Sequence, residues 1–130
     1  MHSQEMNRHI MIVDDNPLLR TTIKGIFKAS FPTVVISEAF SSETMWHIIN
    51  DQFPDLIIMD IKLAEENGLE LTREIKAKHP DIVIAIFTNH DSPEYRQKAG
   101  ICGAEFFLSK LDCKAQDLTI LASNILNQTK

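Results

Sequence analysis

Five residues of this sequence have the types and spacing for chemistry: Asp14, Asp15, Asp60, Thr88 and Lys110. Asp14 and Asp15 stand side by side after the apolar run "HIMIV", and Asp60 ends a second such run in "DLIIMD". Carboxylates gathered at one place repel, because two like charges about 4 Å apart cost about 4 kcal/mol at an effective dielectric of about 20. A hard divalent cation would neutralise them, since Mg2+ takes a few carboxylate and carbonyl oxygens and keeps waters that a phosphate can displace. For Asp14 or Asp15 alone a plainer reading is open, an acidic residue favoured at the start of a helix. Asp60, arriving from a separate run, argues against it. Thr88 closes "IVIAIFT" and Lys110 follows "AEFFLS", so a hydroxyl and a compact cation end two further runs. With the carboxylates they make a set that can address a phosphoryl group through metal, ammonium and hydroxyl.

The elements that must position these residues are legible as alternating patterns. Apolar runs of strand length recur at Ile10–Val13, Val34–Ile36, Leu56–Met59, Ile82–Phe87 and Phe106–Leu108. Helical periods lie between and after them, with Leu19, Ile23, Ile26 and Phe27 in the first and Leu118, Leu121, Ala122 and Ile125 in the last. Met45, Trp46 and Ile49 form the inward stripe of the second helix. Asn16-Pro17 and Ser92-Pro93 read as cap and first helical residue, Ser41 or Ser42 as the second cap, Asn67 with Glu70 as a capping box, and Asp112 as the cap of the last helix. Strand and helix alternate throughout, which predicts an α/β fold: a (βα)5 doubly wound, flavodoxin-like, five-stranded parallel sheet of order 2-1-3-4-5. Runs such as "LIIM" suit strands buried on both faces. Ligands of such sheets bind beyond the carboxyl ends of the strands where their order reverses, and there the three carboxylates should meet.

The whole chain of 130 residues reads as one domain, 1–130, with its core at about 8–126. Apolar residues make up 44% and charged residues 24%, ordinary for a globular chain. A net charge of -5, without basic runs, disfavours direct binding of nucleic acid or an anionic membrane. There is no apolar run of membrane-spanning length and no secretory pattern, and Cys102 and Cys113 fit neither a metal pair nor a disulfide framework, so a reduced, cytoplasmic protein is expected. His2, His9, His47 and His79 have no ligand spacing.

The pattern "VDD" ending one strand, "MD" ending another, Gly68 eight residues after Asp60, then Thr88 and Lys110, resembles the receiver domain of bacterial two-component response regulators, from Arg8 to about Leu126. The resemblance implies that Asp60 is the phosphoacceptor and that Mg2+, or Mn2+, is held by Asp15 and Asp60, by Asp14 partly through water, and by the backbone carbonyl of Lys62. It implies that Lys110 and Thr88 contact the phosphoryl group. It further implies a switch in which Thr88 is drawn in and Phe107 turns, altering the surface of the fourth helix, fifth strand and fifth helix. Partners would be a sensor histidine kinase or histidine phosphotransfer protein as donor, a downstream protein or effector domain, and a second copy through the fourth and fifth helices. Lys62 and His90, two residues beyond Asp60 and Thr88, fall where the family adjusts hydrolysis; they also read as plain solvated side chains.

Two positions depart from the pattern. Ala64 stands where proline is common, and Leu111 stands where the family has a proline whose preceding peptide is typically cis. A cis bond before a non-proline residue costs about 2.5–4 kcal/mol, so a trans Lys110–Leu111 bond in a reshaped loop is expected. Three rivals remain at this stage. A Mg2+-dependent phosphohydrolase of the haloacid dehalogenase type would want an Asp where Lys62 stands. A flavodoxin-like cofactor module would want a hydroxyl- and glycine-rich loop where "DDNPLL" stands. A degenerate scaffold would lack site residues that are all present. Whether the chain is a stand-alone receiver or part of a longer DNA-binding transcriptional regulator is open.

Overall fold

The computed structural model describes residues 8–127; His2 and the ends of the expected 1–130 unit lie outside them. Five parallel strands, β1 (His9–Val13), β2 (Val35–Ala39), β3 (Leu56–Met59), β4 (Val83–Thr88) and β5 (Phe106–Ser109), form one sheet in the order β2-β1-β3-β4-β5. The helices are α1 (Pro17–Ser30), α2 (Ser42–Asp51), α3 (Gly68–Lys78), α4 (Pro93–Cys102) and α5 (Ala115–Leu126). This is the expected doubly wound architecture.

Side chains alternate across the strands and divide the core in two. Met11, Val13, Ile57, Met59, Ile84 and Ile86 pack under α2, α3 and α4 through Met45, Ile49, Ile75 and Ala99. Ile10, Ile12, Leu56, Ile58, Ala85 and Phe87 pack under α1 and α5 through Ile23, Phe27, Leu118, Leu121 and Ile125. Covering both faces explains the unbroken apolar runs of the inner strands, whose residues face helices on either side. Trp46 sits half-buried at the rim of the first core, with the Lys78 ammonium 4.8 Å from its ring.

Most helix starts follow the expected chemistry. Asn16 accepts from the N–H groups of Leu18 and Leu19, Ser41 from Thr44, and Ser92 from Tyr95. Two expectations need correction. Asn67 caps α3 through Leu69 N–H, but Glu70 pairs with Arg73, so only half of the capping box exists. Asp112 does not cap α5. It lies three residues ahead of the helix, in a turn where its N–H bonds Ser109, and Asp117 instead reaches back to Lys114 N–H at 2.9 Å.

Differences elsewhere come from polar residues doing strand work. β2 runs to Ala39, further than its apolar run, because Ser37 and Glu38 find partners in His9 and Arg20. A two-residue antiparallel ribbon, Lys62–Leu63 with Glu66–Asn67, fills the connection from β3 to α3. The Glu66 carboxylate takes the N–H and hydroxyl of Ser42, fastening the ribbon to the start of α2. The Lys110–Leu111 peptide is trans, as expected, for the described residues hold no cis bond.

His9 offers a check on the core. Its ring is buried, its Nε2 lies 2.6 Å from Ser37 Oγ, and Nδ1 has no hydrogen-bond partner. Burial lowers its pKa below the usual 6.5. The folded state therefore resists the proton that the unfolded chain accepts. Stability should be full above about pH 6.5 and fall as pH drops through that value. His9→Gln is expected to flatten the decline of Tm between about pH 7.5 and 5.5 relative to wild type, as read by circular dichroism.

Candidate functional site

The parallel ladder carries past the strand ends and sets the acidic residues beside one another. Val13 pairs with Met59, Asp60 N–H donates to the Val13 carbonyl at 3.0 Å, and Asp14 N–H donates to the Ala39 carbonyl at 3.1 Å. Asp14 and Asp60 thus follow β1 and β3 in register at the point where strand order reverses. Asp14, Asp15 and Asp60 each offer a carboxylate oxygen, and these oxygens lie within 4.8 Å of one another; Asp14 and Asp60 are buried and Asp15 is exposed.

Lys110 reaches the same place from the far side of the sheet. Its N–H donates to the Thr88 carbonyl at 2.8 Å, continuing the pairing of β4 with β5. Its Nζ donates to Asp14 Oδ2 and to Asp60 Oδ2, each at 2.9 Å, with only 13% of the side chain exposed. Sequence reasoning gave the neutralising role to a metal; here an internal ammonium takes part of it. Burial works to lower the Lys110 pKa, but the hydrogen bonds to Asp14 and Asp60 outweigh it and raise the value, so the group is held charged. Burial likewise pushes the Asp14 carboxyl above its usual range, opposed by Lys110 and by the N–H of Asn16.

Each carboxylate is aimed by backbone. Asp14 Oδ1 accepts from Asn16 N–H at 2.9 Å, Asp60 Oδ1 from Ile61 N–H at 2.7 Å, and Asp15 Oδ2 from Ala64 N–H at 2.9 Å. Ala64 has a φ of 52°, the left-handed region that non-glycine residues seldom enter and that proline cannot. Gly68 N–H donates to the Ile61 carbonyl at 2.7 Å, and a Cβ at Gly68 would collide with the Asp60 carbonyl oxygen. The glycine lets the start of α3 close on the backbone of Asp60.

The other expected residues are less engaged with this cluster. Thr88 is fully buried and its Oγ1 accepts from His90 N–H at 3.2 Å. Phe107 is half-buried beside α4, with the Arg96 guanidinium 4.7 Å from its ring. Lys62 and His90 are exposed, His90 packing edge-on against Tyr95. Sequence reasoning missed Arg20, whose guanidinium donates to the Asp14 carbonyl oxygen at 2.6 Å and to Glu38 at 3.0 Å, pinning the acidic turn to β2. Its position one turn into α1 was the available signal. The donor set of three hard oxygen ligands with an open, exposed side at Asp15 suits a divalent cation of the Mg2+ type.

The model of the response regulator receiver domain matches residues 10–122. The aerobic respiration control protein ArcA of Escherichia coli K12 is 33% identical over 121 residues, covering 93% of this chain and 49% of ArcA. The transcriptional regulatory protein DegU of Brevibacillus brevis is 30% identical over 101 residues, covering 78% of this chain and 43% of DegU. Among solved structures, the receiver domain of NtrX from Brucella abortus superposes with a TM-score of 0.82 at 30% identity, covering 92% of this chain and 99% of that one. The chain belongs to the response regulator receiver family, a regulatory class rather than one of turnover enzymes. It spans less than half the length of the curated relatives named here.

Lys110→Gln should leave two carboxylates without their shared cation, lowering stability in chelator by about 3 kcal/mol, since removing one partner of a buried pair strands the other. Added Mg2+ is expected to restore more stability to this variant than to wild type, measured as the shift in denaturation midpoint.

Proposed function

We propose that this chain is a phosphorylation-dependent signalling switch in which Asp60 accepts a phosphoryl group. The observation that carries the reading is the convergence of Asp14, Asp15 and Asp60 around one point, with the Lys110 ammonium on two of them. An Asp60 oxygen attacks the phosphorus of a phosphohistidine on a sensor kinase or phosphotransfer protein, or of acetyl phosphate. The bond from phosphorus to imidazole nitrogen, or to acetate oxygen, breaks as the new P–O bond forms. Water later attacks the phosphorus, releasing inorganic phosphate and restoring the carboxylate. A magnesium ion held by Asp14, Asp15, Asp60 and the Lys62 carbonyl would supply positive charge to the phosphoryl oxygens. Lys110 pairs with one of those oxygens, and Thr88 donates its hydroxyl to another.

The switch in this reading is the inward movement of Thr88 and rotation of Phe107, which is only half-buried and borders a cavity of about 210 Å3 between α4, β5 and α5. Output then passes through that face to a downstream protein, an attached effector or a second copy. The reading takes 1–130 as one receiver unit working in the cytoplasm; no helix among the described residues is long and apolar enough to cross a membrane.

A second form of the same reading has a specific support. ArcA is named as a control protein and DegU as a transcriptional regulatory protein, and the chain spans less than half of each. The chain is then the receiver part of a longer DNA-binding regulator. A phosphohydrolase is the weaker alternative, because Lys62 occupies the place of the second acid.

With acetyl phosphate and Mg2+, wild type should take up one acid-stable, base-labile phosphoryl group, Asp60→Asn none, and Asp55→Asn the wild-type amount. Labelling of Asp60→Asn equal to wild type would refute the assignment; phosphate-tag gels and intact mass report it. Lys62→Ala is expected to change the half-life of the aspartyl phosphate by at least about twofold, because an ammonium near the phosphoryl oxygens alters access of water. Equal decay in both proteins would return Lys62 to the solvated surface.

A further inference from the structure

Where the family carries a proline after the site lysine, this chain has Leu111, and its N–H has a partner that proline lacks the hydrogen to reach: Ser109 Oγ, at 3.2 Å. Ser109 is the last residue of β5, is 5% exposed, and pairs with Thr88. Its carbonyl accepts from Asp112 N–H at 3.2 Å and from Cys113 N–H at 2.9 Å. One buried serine therefore receives three successive N–H groups of the turn that follows Lys110.

At its far end the turn is also held by Cys113, which packs against the core under α1 and α5. The Leu111 side chain is 77% exposed, and Ser109, Asp112 and Cys113 border an open surface pocket of about 210 Å3 together with Phe107 and Arg96. Lys110 sits inside this construction, its own N–H on the Thr88 carbonyl and its ammonium 5.8 Å from the Phe87 ring centre on the way to Asp14 and Asp60. Rotation of the Lys110–Leu111 peptide would swing the Lys110 Cα and the root of its side chain. A proline limits such rotation by its ring; here, among the described residues, the side-chain bond to that peptide is the one from Leu111 N–H to the Ser109 hydroxyl.

We infer that Ser109 is a positioning residue that acts through Lys110, its hydroxyl holding the trans peptide at the angle from which the ammonium meets the phosphoryl oxygens. This rests on the reading of Asp60 as phosphoacceptor and adds a residue to it. A serine that merely steadied the fold would matter whether or not Lys110 were present. A serine acting through Lys110 loses its effect when the lysine is gone.

The test is a cycle of Ser109→Ala and Lys110→Ala in the full chain, reading the rate of phosphorylation by acetyl phosphate at saturating Mg2+ and, separately, Mg2+ affinity by calorimetry. Ser109→Ala is expected to slow phosphorylation about three- to tenfold, the scale of one lost hydrogen bond. Mg2+ affinity should change less than about twofold, because no ion ligand is touched, and Ser109→Thr should recover most of the rate. In the Lys110→Ala background, the same change should alter the rate by less than about 1.5-fold. An equal loss in both backgrounds, or no loss in wild type, overturns the proposal. If Ser109→Ala fails to fold, Ser109→Thr against Ser109→Val, matched in shape and differing in the hydroxyl, decides it in the same cycle. Failure of the underlying reading shows separately, as labelling that persists in Asp60→Asn.

Discussion

Asp14 and Asp60 come from neighbouring strands, are buried, and share one ammonium, so the molecule must hold three separate chain segments in fixed register for that contact to exist. In parallel strands buried on both faces, a slip by one residue would exchange the two cores and move Asp60 away from Asp14. The pairing of Val13 with Met59 and of Thr88 with Ser109 therefore fixes chemistry as well as packing. Backbone N–H groups complete the arrangement, one for each carboxylate, and the Arg20 guanidinium ties the acidic turn to the edge strand.

Much of this was legible because its causes are local or periodic. Strand positions followed from apolar runs, the parallel order from strict alternation with helices, and the caps at Asn16 and Ser92, and at Ser41 as one of two candidates, from hydroxyl or amide side chains ahead of helical periods. The carboxylates stood out because Asp is uncommon at the end of an apolar run. Other features have causes spread across the fold. The extension of β2 depends on partners that Ser37 and Glu38 find on β1 and α1, and no window of sequence contains both halves. The ribbon at 62–67 depends on Glu66 meeting Ser42, twenty-four residues away. Asp112 had the right type for a cap and the wrong distance, which only the true start of α5 settles.

The two missing prolines illustrate a general point about loops. A ring fixes a backbone angle within one residue, whereas a hydrogen bond fixes it relative to another part of the chain. Ala64 and Leu111 take the second route, donating to Asp15 and to Ser109. The loops around the site are thereby coupled to Asp15 within it and to Ser109 beside Lys110, and a left-handed Ala64 is strain of a kind that clusters at working sites.

The contact between Lys110 and Asp14 spans 96 residues, and that with Asp60 spans 50. During synthesis the first three strands leave the ribosome long before the lysine does. Until then Asp14 and Asp60 lack the ammonium they share, so bringing β1 and β3 together meets electrostatic resistance between the two carboxylates. Dissolved cations can screen that resistance, and the last strand removes it for good. The anion pocket is thus complete only once β5 and Lys110 have been made, and a chain cut before that residue would lack the cation that Asp14 and Asp60 share.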